Sequence, residues 1–297
     1  MSTQAPSRRN ELSATAILAM ATVYFVWGST YLAIRFALQG FPPLFFPGLR
    51  FSIAGTILYT VLRLRGRPAP SARQWAGTAL IGLLMLCFGN GGVVLAQQSV
   101  GSGLAATAVA TVPLWASLIA GLWGEWPGRF QWIGLALGFG GIVLLNLGGD
   151  FAANPVSAGL LMFASVSWAF GTVYSRRLSL PGGLMNSACQ MLCAGLLFFI
   201  GSAARGESWR LDVSPQALLA LAYLTVFGSL VAYSAYVYLM QNVAPALTTS
   251  YAYVNPVIAV LLGVSFAGEV ILPNEWIAIG CVLAGVVMIV LGRRRSA

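Results

Sequence analysis

The sequence predicts an all-α integral membrane protein with ten transmembrane helices, built as two inverted five-helix repeats. Three observations lead to this fold class. First, 58% of the 297 residues are hydrophobic and 8% are charged, whereas a soluble domain carries about a quarter charged residues. Second, long apolar runs recur along the chain without the alternation of period two that a membrane barrel requires. Third, the second half repeats features of the first half in the same order.

Each predicted span covers about 20 predominantly apolar residues, enough for a helix to cross the hydrocarbon core of a bilayer. The predicted spans are 14–38, 44–63, 75–97, 103–123, 130–148, 156–175, 184–204, 216–240, 246–267 and 275–292. The first span follows Arg8 and Arg9, as the core of a signal peptide would, but its apolar stretch is longer than such a core. We therefore expect it to be retained as a helix.

The arginines indicate which ends of the spans face the cytoplasm. With a cytoplasmic N-terminus, the twelve inner arginines are Arg8, Arg9, Arg63, Arg65, Arg67, Arg73, Arg129, Arg176, Arg177, Arg293, Arg294 and Arg295. The remaining four are Arg35, Arg205 and Arg210 on the outer side and Arg50 within span two. Because basic residues concentrate in cytoplasmic loops, the terminal segments 1–13 and 293–297 are both predicted to be cytoplasmic. The arginines form no single patch, so nucleic acid is not an expected partner.

The two halves align when residues 156–292 are shifted back by 141 to 144 positions onto residues 14–148. The matched features are Trp27 with Trp168, Arg35 with Arg176, Pro113 with Pro256, and Gly124-Glu125 and Trp132 with Gly268-Glu269 and Trp276. Because each unit has five spans, an odd number, the second unit must enter the membrane in the opposite sense. Inverted repeats of this kind are a transporter architecture.

The composition lacks the residues of several catalytic chemistries. The chain has no His, and all 16 of its basic residues are Arg, so it has no Lys either. It therefore has no imidazole base, no Schiff-base amine and no phosphate-loop lysine. The four cysteines lie within apolar runs and do not have the spacing of a metal site. We expect no catalytic residue, no metal and no cofactor.

Several motifs follow one another in a characteristic order. They are WGSTYLAIR at 27–35, PGLRFSIAG at 47–55, and Pro-centred spans four and nine that end in Gly-Glu and precede Gly-rich helices at 134–148 and 278–292. In this order the chain resembles the drug/metabolite transporter superfamily of EamA type, in two units of about 16–147 and 157–291. Among its subfamilies it is similar to the YddG-like exporters of amino acids and related metabolites. The resemblance implies a central cavity lined mainly by spans one, three, four, six, eight and nine.

Prolines interrupt one span in each half. Pro113 and Pro256 lie near the middle of spans four and nine. Each removes a backbone donor and leaves the carbonyl four residues earlier, at Val109 and Ala252, without its helical partner. Matched interruptions in two halves point to the substrate site of a transporter. The alternative is a packing kink, because proline is common in membrane helices.

The candidate substrate-binding residues are polar or aromatic side chains near these breaks and on spans one, three, six and eight. They are Trp27, Tyr31, Asn90, Gln97, Thr107, Thr111, Trp115, Trp168, Thr172, Tyr233, Ser250, Tyr253 and Asn255. Polar groups are unfavourable against lipid, so we expect them to face the protein interior. There they either bind a ligand or hydrogen-bond neighbouring helices, and an aromatic residue can instead pack in the core or at the membrane interface.

Arg50 is the one full charge well inside a predicted span. In one interpretation it contacts a substrate carboxylate. In the other its role is structural, because it lies about 10 Å from the outer end of span two and can extend outward or cap carbonyls. All seven acidic residues fall at span ends or in loops. This departs from the small multidrug relatives, which use a membrane-embedded Glu, and it disfavours proton antiport and cationic substrates.

The predicted function is secondary transport across the inner membrane by alternating access around a central cavity. The cargo is small neutral or zwitterionic metabolites, amino acids and aromatic amino acids among them, and the direction is export; cargo, direction and driving force rest on the resemblance. The alternatives are a membrane-embedded enzyme and a channel or facilitator for small solutes, although the sequence has no evident carbonyl filter or charged ring. Expected partners are a small-molecule substrate and membrane lipid, and no feature indicates an oligomeric state.

Overall fold

The computed structural model describes residues 12–100, 102–145, 155–209, 212–258 and 273–293, and every regular element in them is helical. We number the helices α1 to α10 in the order of the predicted spans. They are α1 (Ala14–Ala37), α2 (Phe45–Leu64), α3 (Ala72–Ala96), α4 in two segments (Ser102–Val109 and Val112–Gly121), α5 (Arg129–Leu145), α6 (Pro155–Tyr174), α7 (Leu184–Ala204), α8 (Pro215–Asn242), α9 in two segments (Pro245–Thr248 and 251–258) and α10 (Pro273–Arg293).

Six of these helices are long and apolar enough to cross a membrane, as judged over the described residues. They are α1, α2, α3, α6 with the turn that extends it to Arg177, α7 and α8. The other four lie at predicted spans four, five, nine and ten. A multi-pass helical membrane protein is thus confirmed, whereas the count of ten crossing helices and the cytoplasmic termini stay predictions. The repeat match at Gly268-Glu269 and most of both terminal segments lie outside the described residues.

Several helices begin at side chains that satisfy their first backbone N–H groups. The Ser71 hydroxyl accepts from the Gln74 N–H at 3.3 Å while the Gln74 side chain accepts from the Ser71 N–H at 2.9 Å, which is a capping box. Helix α2 is capped from a distant loop, because the Glu207 carboxylate accepts from the N–H groups of Leu44 at 3.1 Å and Phe45 at 3.0 Å. A carboxylate stabilises the N-terminus of a helix through the unpaired N–H groups and the helix dipole.

Helix α4 breaks where the sequence predicts it. The first segment ends at Val109 and the second begins at Val112, with Pro113 in its first turn, where the missing N–H of proline does no harm. At the break the Thr111 N–H and the Thr111 hydroxyl both donate to the Ala108 carbonyl, at 3.2 and 2.8 Å. The interruption is therefore a local turn stabilised by a threonine side chain.

Helix α9 also breaks, but not at its proline. Residues 249–250 separate the two segments, and residues 251–258 are helical through Pro256. The Thr249 hydroxyl donates to the Pro245 carbonyl at 2.8 Å, and the Ser250 hydroxyl donates to the Leu247 carbonyl at 2.7 Å. Because such side-chain bonds compete with the helical ladder, the turn forms at Thr249 and Ser250, six residues before the matched proline.

A feature that the sequence did not predict is a π-helical segment in each half. Residues Leu83–Asn90 of α3 and Leu224–Tyr233 of α8 are wound as π-helix. The two segments correspond under the repeat offset of 141 to 143 positions. A π-helical segment places an extra residue in the helix, changes the direction of the side chains that follow, and occurs often at functional sites.

Equivalent helices of the two repeats pack in pairs, α2 against α7 and α5 against α10. The α5–α10 contact is close because both helices present glycine. A Cβ atom added at Gly134 would lie 2.6 Å from the Gly285 carbonyl oxygen, and one added at Gly285 would lie 2.6 Å from the Gly134 carbonyl oxygen. Small residues allow the backbones of membrane helices to approach in this way.

Candidate substrate cavity

A narrow cavity with a volume of about 60 Å³ lies where helices from the two halves meet. Helices α1, α2, α3 and α4 line it from the first half, and α6, α8 and α9 line it from the second. This set contains the helices that the family resemblance implies, and it adds α2. The break of α4 borders the cavity, since Val109 and Val112 on its two sides are lining residues.

Seven of the residues singled out in the sequence line this cavity. They are Trp27, Tyr31, Arg50, Asn90, Trp168, Tyr233 and Asn255. They come from six different helices, so residues that are far apart in the chain share one space. Asn90 and Tyr233 are also the last residues of the two π-helical segments. Their contact with a substrate stays a prediction.

Five aromatic side chains, Trp27, Trp168, Tyr233, Tyr236 and Tyr251, form a cluster on one side of the cavity, which we call the aromatic cluster. The Trp27 ring lies 5.4 Å from Trp168, 5.0 Å from Tyr236 and 4.8 Å from Tyr251, measured between centroids. These distances are typical of attractive ring pairs. Because Trp27 belongs to the first half and the other four to the second, the cluster joins the two repeats.

Hydrogen bonds fix the orientation of the rings in the aromatic cluster. The indole N–H of Trp168 donates to the Tyr236 hydroxyl at 2.9 Å, and the Thr172 hydroxyl lies 2.7 Å from the same oxygen. The indole N–H of Trp27 donates to the Gly228 carbonyl at 3.2 Å. Tyr236 is fully buried, and it is bound to two residues of α6 at once. The aromatic cluster is therefore a packed, hydrogen-bonded partition between α1, α6, α8 and α9.

Arg50 extends from α2 to the cavity wall formed by α8. Its Nε donates to the Ser229 hydroxyl at 2.7 Å, and its guanidinium lies 4.7 Å from the centroid of the Phe51 ring. Gly228 leaves the room for this arrangement, because a Cβ atom there would lie 2.8 Å from an Nη atom of Arg50. The residue is 3% exposed, and its Nη1 has no hydrogen-bond partner among the described residues.

Two amides of the lining keep polar atoms without partners in the part of the chain that the structure describes. The Oδ1 atom of Asn90 has no donor within hydrogen-bond distance. The Asn255 side chain lies beside the Tyr31 hydroxyl, yet neither its oxygen nor its nitrogen makes a hydrogen bond of ordinary geometry. Buried polar atoms normally have partners, and these atoms are closed off from water in this arrangement, so a ligand can meet them only when the surrounding helices move apart.

Three other candidates on the first half, Gln97, Thr111 and Trp115, are not among the residues that line the cavity. The Gln97 amide nitrogen donates to the Tyr31 carbonyl at 3.1 Å and so holds α3 against α1. Thr111 is bonded to its own helix at the α4 break, and Trp115 is half-buried against the hydrophobic core. The side chain of Thr107 lies outside the described residues.

The remaining candidates on the second half, Thr172, Ser250 and Tyr253, are not among the lining residues either. Thr172 is bonded to the Trp168 carbonyl and to Tyr236, and Ser250 lies 2.6 Å from the Tyr24 hydroxyl. The Tyr253 hydroxyl donates to the Leu135 carbonyl at 3.3 Å, so this tyrosine faces α5. The three residues connect helices.

The cavity also contains residues that sequence reasoning missed. Thr30, Phe51, Ser165 and Tyr251 are lining residues. Thr30 could have been predicted from the sequence, because it lies three residues after Trp27 and so shares a helix face with it. Tyr251 was not, because its direction depends on the turn at residues 249–250.

A network of charged side chains lies at the ends of α4, α6 and α8, on the side of the aromatic cluster. Glu125 lies 3.6 Å from Arg176 and 3.8 Å from Arg177. The Arg176 guanidinium also donates to the carbonyls of Met240, at 3.2 Å, and Val243. Arg176 therefore joins α6 to the turn that connects α8 with α9.

A polar and aromatic cavity enclosed by both halves of a repeated, multi-pass helical chain is the arrangement of a secondary membrane transporter. Comparison with known families agrees. Residues 14–147 and 156–291 each match the EamA-like transporter family, and the chain belongs to this family within the drug/metabolite transporter superfamily.

Relatives extend over almost the whole chain. The chain is 46% identical to the uncharacterized inner membrane transporter YedA of Escherichia coli K12, over 93% of this chain and 90% of that protein. It is 24% identical to a probable terminal-alkyne amino-acid exporter of Streptantibioticus cattleyicolor, over 95% of this chain and 96% of that one. A crystal structure of a protein with 20% sequence identity has the same fold, with a TM-score of 0.78 over 94% of this chain and 99% of that chain. The protein is a multi-pass transporter of the inner membrane.

Proposed function

We propose that the protein exports small neutral or zwitterionic metabolites, amino acids and aromatic amino acids among them, across the inner membrane. The observation that carries this proposal is the cavity between the repeats, whose lining combines indole and phenol rings with amides and a guanidinium. Rings suit an apolar side chain, and unpartnered amide atoms suit the polar groups of a zwitterion. The likeness to the relative described as a probable amino-acid exporter supports the same substrate class.

The transport step is alternating access, in which the two repeats rock against each other around the cavity. The aromatic cluster joins the two repeats beside the cavity, and the Arg176 network lies at the ends of α6 and α8 that follow it. Opening that side requires Trp27 of the first repeat to separate from Trp168, Tyr236 and Tyr251 of the second. The turns in α4 and α9 and the two π-helical segments supply places where the helices bend.

Counterflow into proteoliposomes tests the proposal. Purified protein is reconstituted, the vesicles are loaded with an unlabelled pool of L-amino acids, and uptake of single labelled L-amino acids is followed. We expect saturable uptake that depends on the internal pool. Absence of saturable uptake for amino acid, nucleoside and sugar pools would refute transport of this substrate class, and flux that rises linearly with concentration would indicate a channel or facilitator.

A pair of asparagine variants connects the flux to the cavity. Asn90 lines the cavity, whereas Asn242 is exposed at the end of α8 and donates to the Tyr238 carbonyl. Asn90→Ala removes an unpartnered amide that we expect to contact substrate, and kcat/KM should fall by about fivefold to tenfold, the equivalent of one hydrogen bond. Asn242→Ala should leave kcat/KM unchanged. Equal kinetics for the two variants would show that the substrate does not contact Asn90.

A further inference from the structure

We propose that Arg50 binds the carboxylate of the transported molecule, so that the substrates are small carboxylates, and among them zwitterionic α-amino acids. This inference rests on the proposed function and makes it more specific. It assigns to α2, which the family resemblance does not place at the cavity, the group that determines which metabolites are accepted. It also decides between the two interpretations of Arg50 that the sequence leaves open.

The Arg50 side chain is directed toward the middle of α8. Arg50 is the sixth residue of α2, and a structural arginine at this position would extend toward the near end of the helix. Instead, its Nε donates to the hydroxyl of Ser229, which lies in the middle of α8. The guanidinium therefore lies at the cavity wall formed by α8, and Arg50 is one of the residues that line the cavity.

Arg50 has no carboxylate partner among the described residues. The described residues contain three ion pairs, Arg176 and Arg177 with Glu125 and Arg205 with Glu207, and all lie at helix ends. Arg50 takes part in none of them, although it is 3% exposed. A buried charge without a partner is strongly unfavourable, and a carboxylate that pairs with it recovers much of that free energy.

The contacts of the Arg50 guanidinium leave one of its nitrogen atoms, Nη1, without a partner among the described residues. Ser229 and Phe51 hold one edge and one face of the guanidinium, and Nη1 remains without a partner in the described residues. A guanidinium fixed in this way presents its N–H groups as a rigid fork, which matches the two oxygens of a carboxylate. No carboxylate of the protein meets Nη1 in the part of the chain that is described.

The other polar and aromatic groups of the lining suit the rest of an α-amino acid. The unpartnered Oδ1 of Asn90 and the Asn255 amide lie in the same lining, and such oxygens accept hydrogen bonds from an ammonium group. The rings of Trp27 and Trp168 supply the apolar surface for a side chain. The cavity therefore offers one anchor for each end of a zwitterion.

The test on the native protein compares a carboxylate with its uncharged counterpart. Counterflow of each labelled L-amino acid that the protein transports is measured in the presence of unlabelled L-phenylalanine, L-phenylalaninamide or chloride. We expect L-phenylalanine to inhibit at a concentration about tenfold to a hundredfold lower than L-phenylalaninamide, because a charge-assisted hydrogen bond contributes about 1.5–3 kcal/mol. Equal inhibition by the two compounds, or by chloride at equal concentration, would overturn the assignment.

Three variants and one control variant test whether Arg50 causes this preference. Arg50→Gln should reduce the preference for carboxylate over amide to less than about threefold, whereas Arg50→Lys, which keeps the charge, should retain part of it. Arg73→Gln is the matched control, because Arg73 is exposed at the start of α3, and its preference should equal that of the native protein. Gly228→Ala is an independent test, since its Cβ atom would displace the guanidinium, and it should weaken the preference without removing a charge.

The outcomes separate the two proposals. If amino acids undergo saturable counterflow and Arg50→Gln keeps the full preference for carboxylate, the assignment of Arg50 is wrong and the proposed function stands. If no amino acid undergoes counterflow, the assignment of Arg50 is overturned together with the amino-acid part of the proposed function, whereas saturable uptake of a nucleoside or a sugar would leave the rest of the proposed function standing. Monodisperse elution and unchanged helical content of the Arg50→Gln variant would show that the variant is folded, so that a loss of the carboxylate preference does not come from unfolding. The comparison of L-phenylalanine with L-phenylalaninamide on the native protein needs no variant.

Discussion

Replacing Tyr236 by phenylalanine should weaken the packing of the aromatic cluster, which joins the two repeats. The change removes one hydroxyl and keeps the ring, so the ring pairs with Trp27, Trp168 and Tyr251 remain. Two hydrogen bonds are lost, from the Trp168 indole at 2.9 Å and with the Thr172 hydroxyl at 2.7 Å. Each contributes about 0.6–1.5 kcal/mol inside a membrane protein, so the free energy of unfolding should fall by about 1–3 kcal/mol.

The matched control for this change is Tyr238→Phe, two residues further along α8. The Tyr238 hydroxyl makes one long contact, 3.4 Å to the Ser13 hydroxyl, in an exposed position, so its removal should change the free energy of unfolding by less than about 0.5 kcal/mol. Reversible unfolding of both variants in mixed detergent micelles, followed by circular dichroism, measures the difference. Equal stability of Tyr236→Phe and Tyr238→Phe would refute the view that hydrogen bonds hold the aromatic cluster.

Two further changes test the helix packing and the helix start by the same unfolding measurement. Gly134→Ala should destabilise the protein by about 1–3 kcal/mol, because the new Cβ would lie 2.6 Å from the Gly285 carbonyl oxygen; Gly140→Ala, with nothing within 4 Å, should be neutral or slightly stabilising. Glu207→Gln should lower the free energy of unfolding by about 1 kcal/mol, because the cap of α2 loses its charge. Equal effects of the two glycine changes, or an unchanged Glu207→Gln, would contradict these contacts.

The helices and the interruption of α4 could be predicted because they depend on patterns that the sequence displays directly, whereas the helices expected around the cavity rested on the family resemblance. Apolar runs predict the helices, and the match between Trp27 and Trp168 indicates the repeat. Pro113 gives the break in α4 because a missing N–H acts within one turn. These are local effects or simple repetitions, so one sequence carries enough information to find them.

The rest depends on contacts between distant residues. The break in α9 forms at Thr249 and Ser250 and not at Pro256, because side-chain hydroxyls take the carbonyls there. The π-helical segments change which face of α3 and α8 meets the cavity, and no residue type in the sequence predicts such a segment. The direction of Arg50 is set by Ser229 on another helix, 179 positions away in the chain. A repeat alignment cannot supply such information.

The central claim is that substrate passes through the cavity between the repeats, and cysteine labelling tests it most directly. Asn90→Cys and Asn242→Cys are made in a chain whose four native cysteines are replaced by alanine, and each is treated with a charged thiosulfonate during amino-acid counterflow. We predict that transported amino acid slows labelling at position 90 and that labelling there stops the residual flux, while position 242 shows neither effect. Complete labelling at position 90 with undiminished flux would contradict the claim.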